Sequence, residues 1–409
     1  MKKKLAIIAT HPVQYYAPLF ALLAKEPGVE LKVFYTWSQK QVDGYDPDFK
    51  INIAWDIPLL EGYDHTFVPN TAKRPGAHHF MGIVCSLLIE EIEQWGATQL
   101  LVFGWNFHAH LTAMRHFKGK IPVWFRGDST LLDYDIQTFS AIRLAHLVAD
   151  GKQYGRFLLR KLFLTWVYRY VDKAFYVGQN NKAYYRAHGL KEQQLVFAPH
   201  AIDNERFFDG DNKGYENRAK IRRSELGYGA LDYVVLFCGK LESKKNPLLL
   251  IDCVKKLKVL SNNRNVKLLI VGNGILEHQL RSRAEGDCDF QFLPFQNQTE
   301  MPVVYRMADL YCLPSQGPGE TWGLAVNEAL ACGRPVLVSD KVGCAADLVN
   351  ADTGRIFESG NLNDLEVKFQ VIATSGDCFQ KENIQGAITK WSFEVIVQQI
   401  VGQLNCNGE

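Results

Sequence analysis

The sequence predicts an α/β protein built from two doubly wound parallel sheets, each in its own domain. Short β-rich apolar runs alternate with longer amphipathic segments, the order that places helices between parallel strands. The alternation runs twice, in two series separated by the polar stretch 203–231. At 409 residues the chain is long enough to bury two cores.

In the first series, 5–9, 31–35, 99–103, 122–125, 173–177 and 194–198 read as strands. Segments 19–24, 84–95 and 109–116 read as helices between them. The second series places strands at 233–238, 266–271, 290–293, 310–313 and 335–338, with helices at 247–260, 275–284, 301–307 and 322–332. A last helix is expected at 391–404. The domain reading is 1–205, a linker at 206–230, a second domain at 231–385, and a C-terminal helical segment at 386–409.

Apolar content of 47% and charge content of 22% are those of a globular protein. A net charge of +2 gives no electrostatic case for nucleic acid as partner. Nine cysteines, an odd number without a C-x-x-C pair, point to free thiols and a reducing, cytoplasmic compartment. After three lysines the N-terminal apolar run spans only 5–9 before Thr10-His11-Pro12, too short for a secretory signal, so it reads as a first strand. There is no apolar run of membrane-spanning length.

The densest chemical signal is PSQGPGETWGLAVNEALACGRPVLVSD, residues 314–340. A strand ending in Pro314-Ser315 enters a glycine-bearing loop that opens a helix. Glu320 stands at the helix mouth and Glu328 eight residues on, about 12 Å along the axis if the intervening residues are helical. Backbone N–H groups at such a helix start favour an anion such as phosphate. Two carboxylates for hydroxyls and a set of amides for phosphate suit a nucleotide-linked sugar.

A second signal is Gly239-Lys240-Leu241-Glu242-Ser243-Lys244-Lys245, at the carboxyl end of the 233–238 strand, where parallel sheets bind ligands. Fixed cations there would stabilise a departing diphosphate. Gly272-Asn273-Gly274 follows another strand and reads equally as a ligand lining or as a turn that needs glycine for steric reasons. Gly104 to His110 and Phe125-Arg126-Gly127-Asp128 also follow strands. Arg126 either pairs with Asp128 or faces a ligand. From 152 to 170, Lys152, Arg156 and Arg160 share one helical face, with Leu159, Phe163, Trp166, Val167 and Tyr170 on another. The ordinary reading is a core-packed helix with a basic edge; a membrane-surface helix is the sharper alternative.

The 314–340 pattern resembles the Glu-x7-Glu signature of retaining glycosyltransferases of family 4, group 1 glycosyl transferases with the two-domain GT-B fold. The match extends over 233–348, while the N-terminal half agrees in layout more than in residues. The resemblance implies two Rossmann-like domains facing a central cleft, with acceptor binding in the first, the nucleotide-sugar donor in the second, and the last helix crossing back to the first. It implies transfer of a sugar from a nucleotide-sugar to an acceptor hydroxyl with retention, in cell-surface glycan or polysaccharide biosynthesis. The acceptor would be a glycan or lipid-linked glycan, met at the inner face of the cell membrane if the protein makes a peripheral contact there. No cofactor or metal is expected, since basic residues neutralise the diphosphate. Glu328 would bind the ribose hydroxyls and Glu320 the sugar ring, as a positioning and charge-stabilising group and not a nucleophile.

By the same resemblance Lys240, where the family usually has Arg, and Lys245 would hold the diphosphate, with Gly239 on the same loop. The segment Thr321, Trp322, Gly323 and Leu324 would present N–H groups to the distal phosphate. Asn273 and Phe295 would line the donor and base sites. His108, with His110 second, would act beside the donor sugar or its phosphate. The loop after the first strand lacks the family's usual Gly-Gly, so His11, Gln14 and Tyr15, with His110 and Arg126, are acceptor-binding candidates. A GT-B sugar-nucleotide epimerase and a non-catalytic sugar-binding subunit stay open.

Overall fold

The computed structural model describes residues 2–37, 44–46, 51–133, 151–210, 213–258, 265–374 and 379–406, with side chains left undescribed at 44–46, 51, 53 and 151–157. Its strands are β1 (Lys3–Ala9), β2 (Val29–Tyr35), β3 (Gly44–Asp46), β4 (Ile51–Ile53), β5 (Asp64–Phe67), β6 (Gln99–Phe103), β7 (Val123–Arg126), β8 (Lys173–Tyr176) and β9 (Leu195–Phe197). Then come β10 (Asp232–Cys238), β11 (Asn265–Val271), β12 (Phe290–Leu293), β13 (Leu310–Leu313), β14 (Val336–Ser339) and β15 (Gly354–Phe357). The first sheet runs β5-β2-β1-β6-β7-β8-β9 and the second β12-β11-β10-β13-β14-β15. Every pairing in both is parallel. Two doubly wound parallel sheets are thus what the alternation of strands and helices produced.

The chain divides into two compact units: 1–44, 58–199 and 393–409 form the first, and 45–57 with 200–392 the second. The central strands explain themselves. In β1, Leu5 to Ala9 are all buried, and so are Tyr233 to Phe237 of β10, the continuous apolar runs of strands covered on both faces. The edge strands β5 and β15 were not anticipated from sequence.

Each sheet reverses its winding once, between β1 and β6 in the first and between β10 and β13 in the second. The crevice outside the strand ends at such a point is where open α/β sheets bind ligands.

One segment departs from the sequence reading and another follows it. The stretch 206–230, read as a linker, holds helix Tyr215–Glu225, which belongs to the second unit. Its Glu216 pairs with Arg334 and Lys381, at 2.8 and 3.2 Å. The final helix is Phe393–Cys406; it counts with the first unit, where it packs on helix Ala17–Ala24.

In helix Gly151–Tyr168 the core face is Leu164, Val167 and Tyr168. Leu159 is 69% exposed and Phe163 43%, which contradicts a core-packed role for both. Lys152 and Arg156 lie outside the side chains described.

Candidate functional site

The loops that follow β10 and β13 meet at the switch point of the second sheet. Gln316 ties them together: its N–H donates to the Lys244 carbonyl at 2.8 Å, and its side-chain amide donates to the Ser243 carbonyl at 2.8 Å. Across the same junction the Lys245 ammonium donates to Glu320 Oε2 at 2.8 Å, and Ser315 Oγ adds a second bond to that oxygen at 3.1 Å. Both partners are secluded, with side chains 15% and 8% exposed. The alkyl stem of Lys245 lies over Gly239, where an added Cβ would sit 3.5 Å from it. Lys240 is half-buried on the same loop.

Sequence reading placed a helix from 322; it begins at Leu324. Gly323 is the cap, with φ +91°, and a Cβ there would lie 2.9 Å from Val342, so both space and backbone conformation demand glycine. Glu320 is therefore on the loop before the helix, not on its first turn. The loop is fixed from behind: the Gly343 and Cys344 N–H groups donate to the carbonyls of Glu320 and Trp322 at 3.1 and 2.9 Å. The opening N–H groups of an α-helix lack the usual intrahelical acceptors; here the cap residue is Gly323, which has no side chain to offer, and the Val326 N–H turns back to the Gly323 carbonyl at 2.9 Å.

Glu328, in the second turn, is 3% exposed, and Tyr305 Oη donates to its Oε2 at 2.7 Å. Its negative charge helps to raise the Cys238 thiol pKa, after the larger effect of burial, which places it against the end of β10. One side of a helix start thus carries a buried carboxylate, and the other a buried ion pair. Neither Tyr305 nor Ser315 was singled out from sequence; Ser315 lies within the 314–340 pattern, whereas Tyr305 has no local signal.

Gly272 and Gly274 are needed for close approach of backbone. A Cβ on Gly272 would lie 2.1 Å from the Gly239 carbonyl oxygen, and one on Gly274 2.5 Å from that of Leu241. The side chain of Asn273 bridges onward: Oδ1 accepts from the Phe295 N–H at 2.8 Å, and Nδ2 donates to Glu277 at 3.0 Å. Asn273 and Phe295 are thereby joined at the carboxyl ends of β11 and β12. Thr321, on the site loop, and Leu324, the first residue of the helix, are half-buried. Trp322 is different. Its indole N–H donates to Asn327 at 2.9 Å and its ring packs on Trp391 and His200, so only its main chain is available to a donor.

At the switch point of the first sheet the two histidines part. His110 is fully buried, with Nδ1 2.9 Å from the Gly104 carbonyl and Nε2 2.9 Å from Thr36 Oγ1. Burial pushes its pKa down to about 4. It is a neutral brace, which removes it as a catalytic or acceptor-binding candidate. A histidine neutral only in the folded state makes the unfolded chain bind the extra proton. Stability is therefore full above the ordinary value near 6.5 and is lost as pH falls from there towards 4, by about 3 kcal/mol in all. Unfolding titrations at pH 7 and pH 5 are expected to show a smaller difference for His110→Asn than for the parent.

His108 opens helix His108–Phe117, half-buried, with its ring edge-on to Phe80. Its Nδ1 is buried and has no hydrogen-bond partner among the described residues. Arg126 is 3% exposed and donates to the carbonyls of Ala198 and Pro199, both at 2.8 Å. Its guanidinium closes the chain's exit from the first unit, and it is withdrawn as an acceptor contact. His11 is exposed with Nδ1 3.0 Å from Thr10 Oγ1, and Gln14 and Tyr15 are half-buried on the same loop.

Asp287, Cys288 and Asp289 are the described residues grouped closely enough to hold a metal. They precede β12, at the sheet edge away from this site, and the two carboxylates pair with Lys258 and Lys267 at 2.6 Å. The eight cysteines described are free thiols, and no described helix is long and apolar enough to cross a membrane.

Residues 220–381 match the sequence model of the family described as glycosyl transferases group 1. The matched stretch lies within the second unit. Within it lie Glu320, Glu328, Lys240 and Lys245. The chain is 31% identical over 179 residues to a phosphatidyl-myo-inositol mannosyltransferase of Mycobacterium leprae, covering 43% of this chain and 47% of that protein. It is 30% identical over 174 residues to a D-inositol 3-phosphate glycosyltransferase of Segniliparus rotundus, covering 41% and 36%. The chain thus spans less than half the length of these relatives. A structure of Anabaena Alr3699/HepE with UDP and glucose superimposes with a TM-score of 0.68, at 15% identity, over 99% of this chain and all of that one. The fold is the two-domain GT-B architecture.

Proposed function

We propose that this protein is a retaining glycosyltransferase that uses a nucleotide-sugar. The observation that carries the reading is the secluded Lys245–Glu320 pair beside the uncapped start of helix Leu324–Ala331. A cation, a carboxylate and free-ended amides at one switch point match a diphosphate joined to a sugar. The ribose hydroxyls lie on Glu328, the diphosphate on Lys245, Lys240 and the N–H of Leu324, and the sugar ring on Glu320. The diphosphate takes Lys245 from Glu320 and leaves that carboxylate to accept sugar hydroxyls.

In the reaction the bond from the anomeric carbon to the diphosphate oxygen breaks, and the acceptor oxygen bonds to the same face of that carbon. The acceptor proton passes to the departing diphosphate oxygen. Lys245 and the amides stabilise the charge that develops there. His108 is the first unit's candidate for the reaction; its buried Nδ1 has no hydrogen-bond partner among the described residues.

The first unit binds the acceptor, and one observation favours an acceptor on a lipid. Leu158, Leu159, Leu162 and Phe163 present an exposed apolar face, flanked by exposed Arg160 and Lys161, and Phe163 packs on Trp105 just before His108. Such a face suits a peripheral contact with an anionic membrane. Leu159→Glu with Leu162→Glu is expected to reduce co-sedimentation with anionic vesicles several-fold.

The test of the whole reading is incubation with UDP- and GDP-sugars and lipid-linked glycan acceptors, followed by NMR of the product. Transfer with the donor's anomeric configuration supports it. An inverted product, or epimerised donor formed without any acceptor, overturns it.

A further inference from the structure

We propose that Trp55 completes the nucleobase-binding site, together with Phe295. This inference rests on the donor reading above and extends it to a residue from the other end of the sequence. Segment 45–57 lies early in the chain, after the second strand of the first sheet, yet counts with the second unit. It is fastened there by residues that follow β12. Asn297 Nδ2 donates to the Ala54 carbonyl at 2.6 Å, and the Thr299 N–H donates to Asp56 Oδ2 at 3.1 Å. Thr299 Oγ1 donates to the same carboxylate oxygen.

Between these two fastenings stands Trp55, half-buried, its ring edge-on to Phe295 with centroids 6.0 Å apart and planes at 78°. Phe295 is itself held, through its N–H, by Asn273 at the end of β11. The two rings therefore lie at the carboxyl ends of β11 and β12, on the edge of the sheet that carries Lys245 and Glu320. Strands are about 4.8 Å apart, so β12 lies about 10 Å from β10 across the sheet. That reach suits a diphosphate at Lys245 joined through a ribose to a base. An indole and a phenyl ring at right angles offer one face to stack on and one edge to enclose a planar heterocycle.

Three bonds to the Ala54 carbonyl and the Asp56 carboxylate make the placement of Trp55 independent of its own ring. Its replacement should leave the segment attached and remove only the stacking surface. Aromatic stacking on a base is expected to strengthen binding about ten-fold.

The experiment is calorimetric titration of UDP, GDP, ADP and inorganic pyrophosphate into the full chain and into Trp55→Ala and Trp55→Phe, with melting curves for all three. The expected result is a Trp55→Ala protein that melts normally, binds its nucleotide about ten-fold more weakly and binds pyrophosphate unchanged, with Trp55→Phe in between. Equal nucleotide affinity in Trp55→Ala and the parent overturns the role of Trp55 and leaves the donor site standing. Equal weakening of nucleotide and pyrophosphate also overturns it, since the effect would then not come from the base. A parent chain that binds none of the nucleotides overturns the donor reading, and this inference with it.

Discussion

Replacing Glu328 by glutamine is expected to weaken binding of the preferred nucleoside diphosphate by ten-fold or more, with little change in fold. The substitution keeps the shape and the bond from Tyr305 Oη, which now reaches Glu328 Oε2 at 2.7 Å. It exchanges a charged acceptor for a neutral amide whose NH2 would face ribose hydroxyls as a competing donor. Hydrogen bonds to a charged group contribute about 1.5–3 kcal/mol, and about 1.4 kcal/mol is ten-fold in affinity. The 2′,3′-dideoxy nucleotide supplies the control. It should bind the parent weakly and show no further loss in Glu328→Gln. Equal losses for both nucleotides would remove Glu328 from the ribose.

Lys245→Met should have the largest effect on turnover, a fall in kcat of about a hundred-fold or more, because it removes a fixed cation from the departing diphosphate. It should also lower stability, since Glu320 is 8% exposed and would lose its ion-pair partner. Breaking a buried pair from one side costs on the order of 3 kcal/mol. These two losses separate in a cycle with Glu320→Gln. The double variant should recover much of the melting temperature of the parent and none of its turnover. Recovery of both, or of neither, contradicts the assignment of Lys245 to the diphosphate and Glu320 to its ground-state partner.

The architecture was legible because the central strands are apolar on both faces, and a run such as Leu5 to Ala9 announces a covered strand without help from the rest of the chain. The edge strands β5 and β15 were not, although β9 and β12 were. Gly354-Arg355-Ile356-Phe357 has too little apolar pattern, and it becomes a strand because β14 offers it a parallel ladder. Helix Tyr215–Glu225 was lost for a similar reason: a polar segment with one buried residue, Ala219, reads as a linker.

At the site, Glu320, Glu328 and Lys245 could be named because each sits within a local pattern, the glutamates in 314–340 and the lysine in the loop after the 233–238 strand. The errors lie where a side chain's partner is distant in sequence. Nothing near Arg126 shows that its guanidinium is used by carbonyls 72 and 73 residues away. Nothing near His110 points to Thr36, and nothing near Trp322 points to Trp391. His108 and His110 differ by two positions on one helix start, and only their tertiary partners tell the brace from the unpartnered nitrogen.

The measurement that bears most directly on the central claim is a crystal structure of the protein with its preferred nucleoside diphosphate. The account predicts the ribose hydroxyls on Glu328, the diphosphate on Lys245 and the N–H of Leu324, and Glu320 released from Lys245. A nucleotide at the loops of the first sheet, or one that leaves the Lys245–Glu320 pair intact and Glu328 untouched, would contradict it.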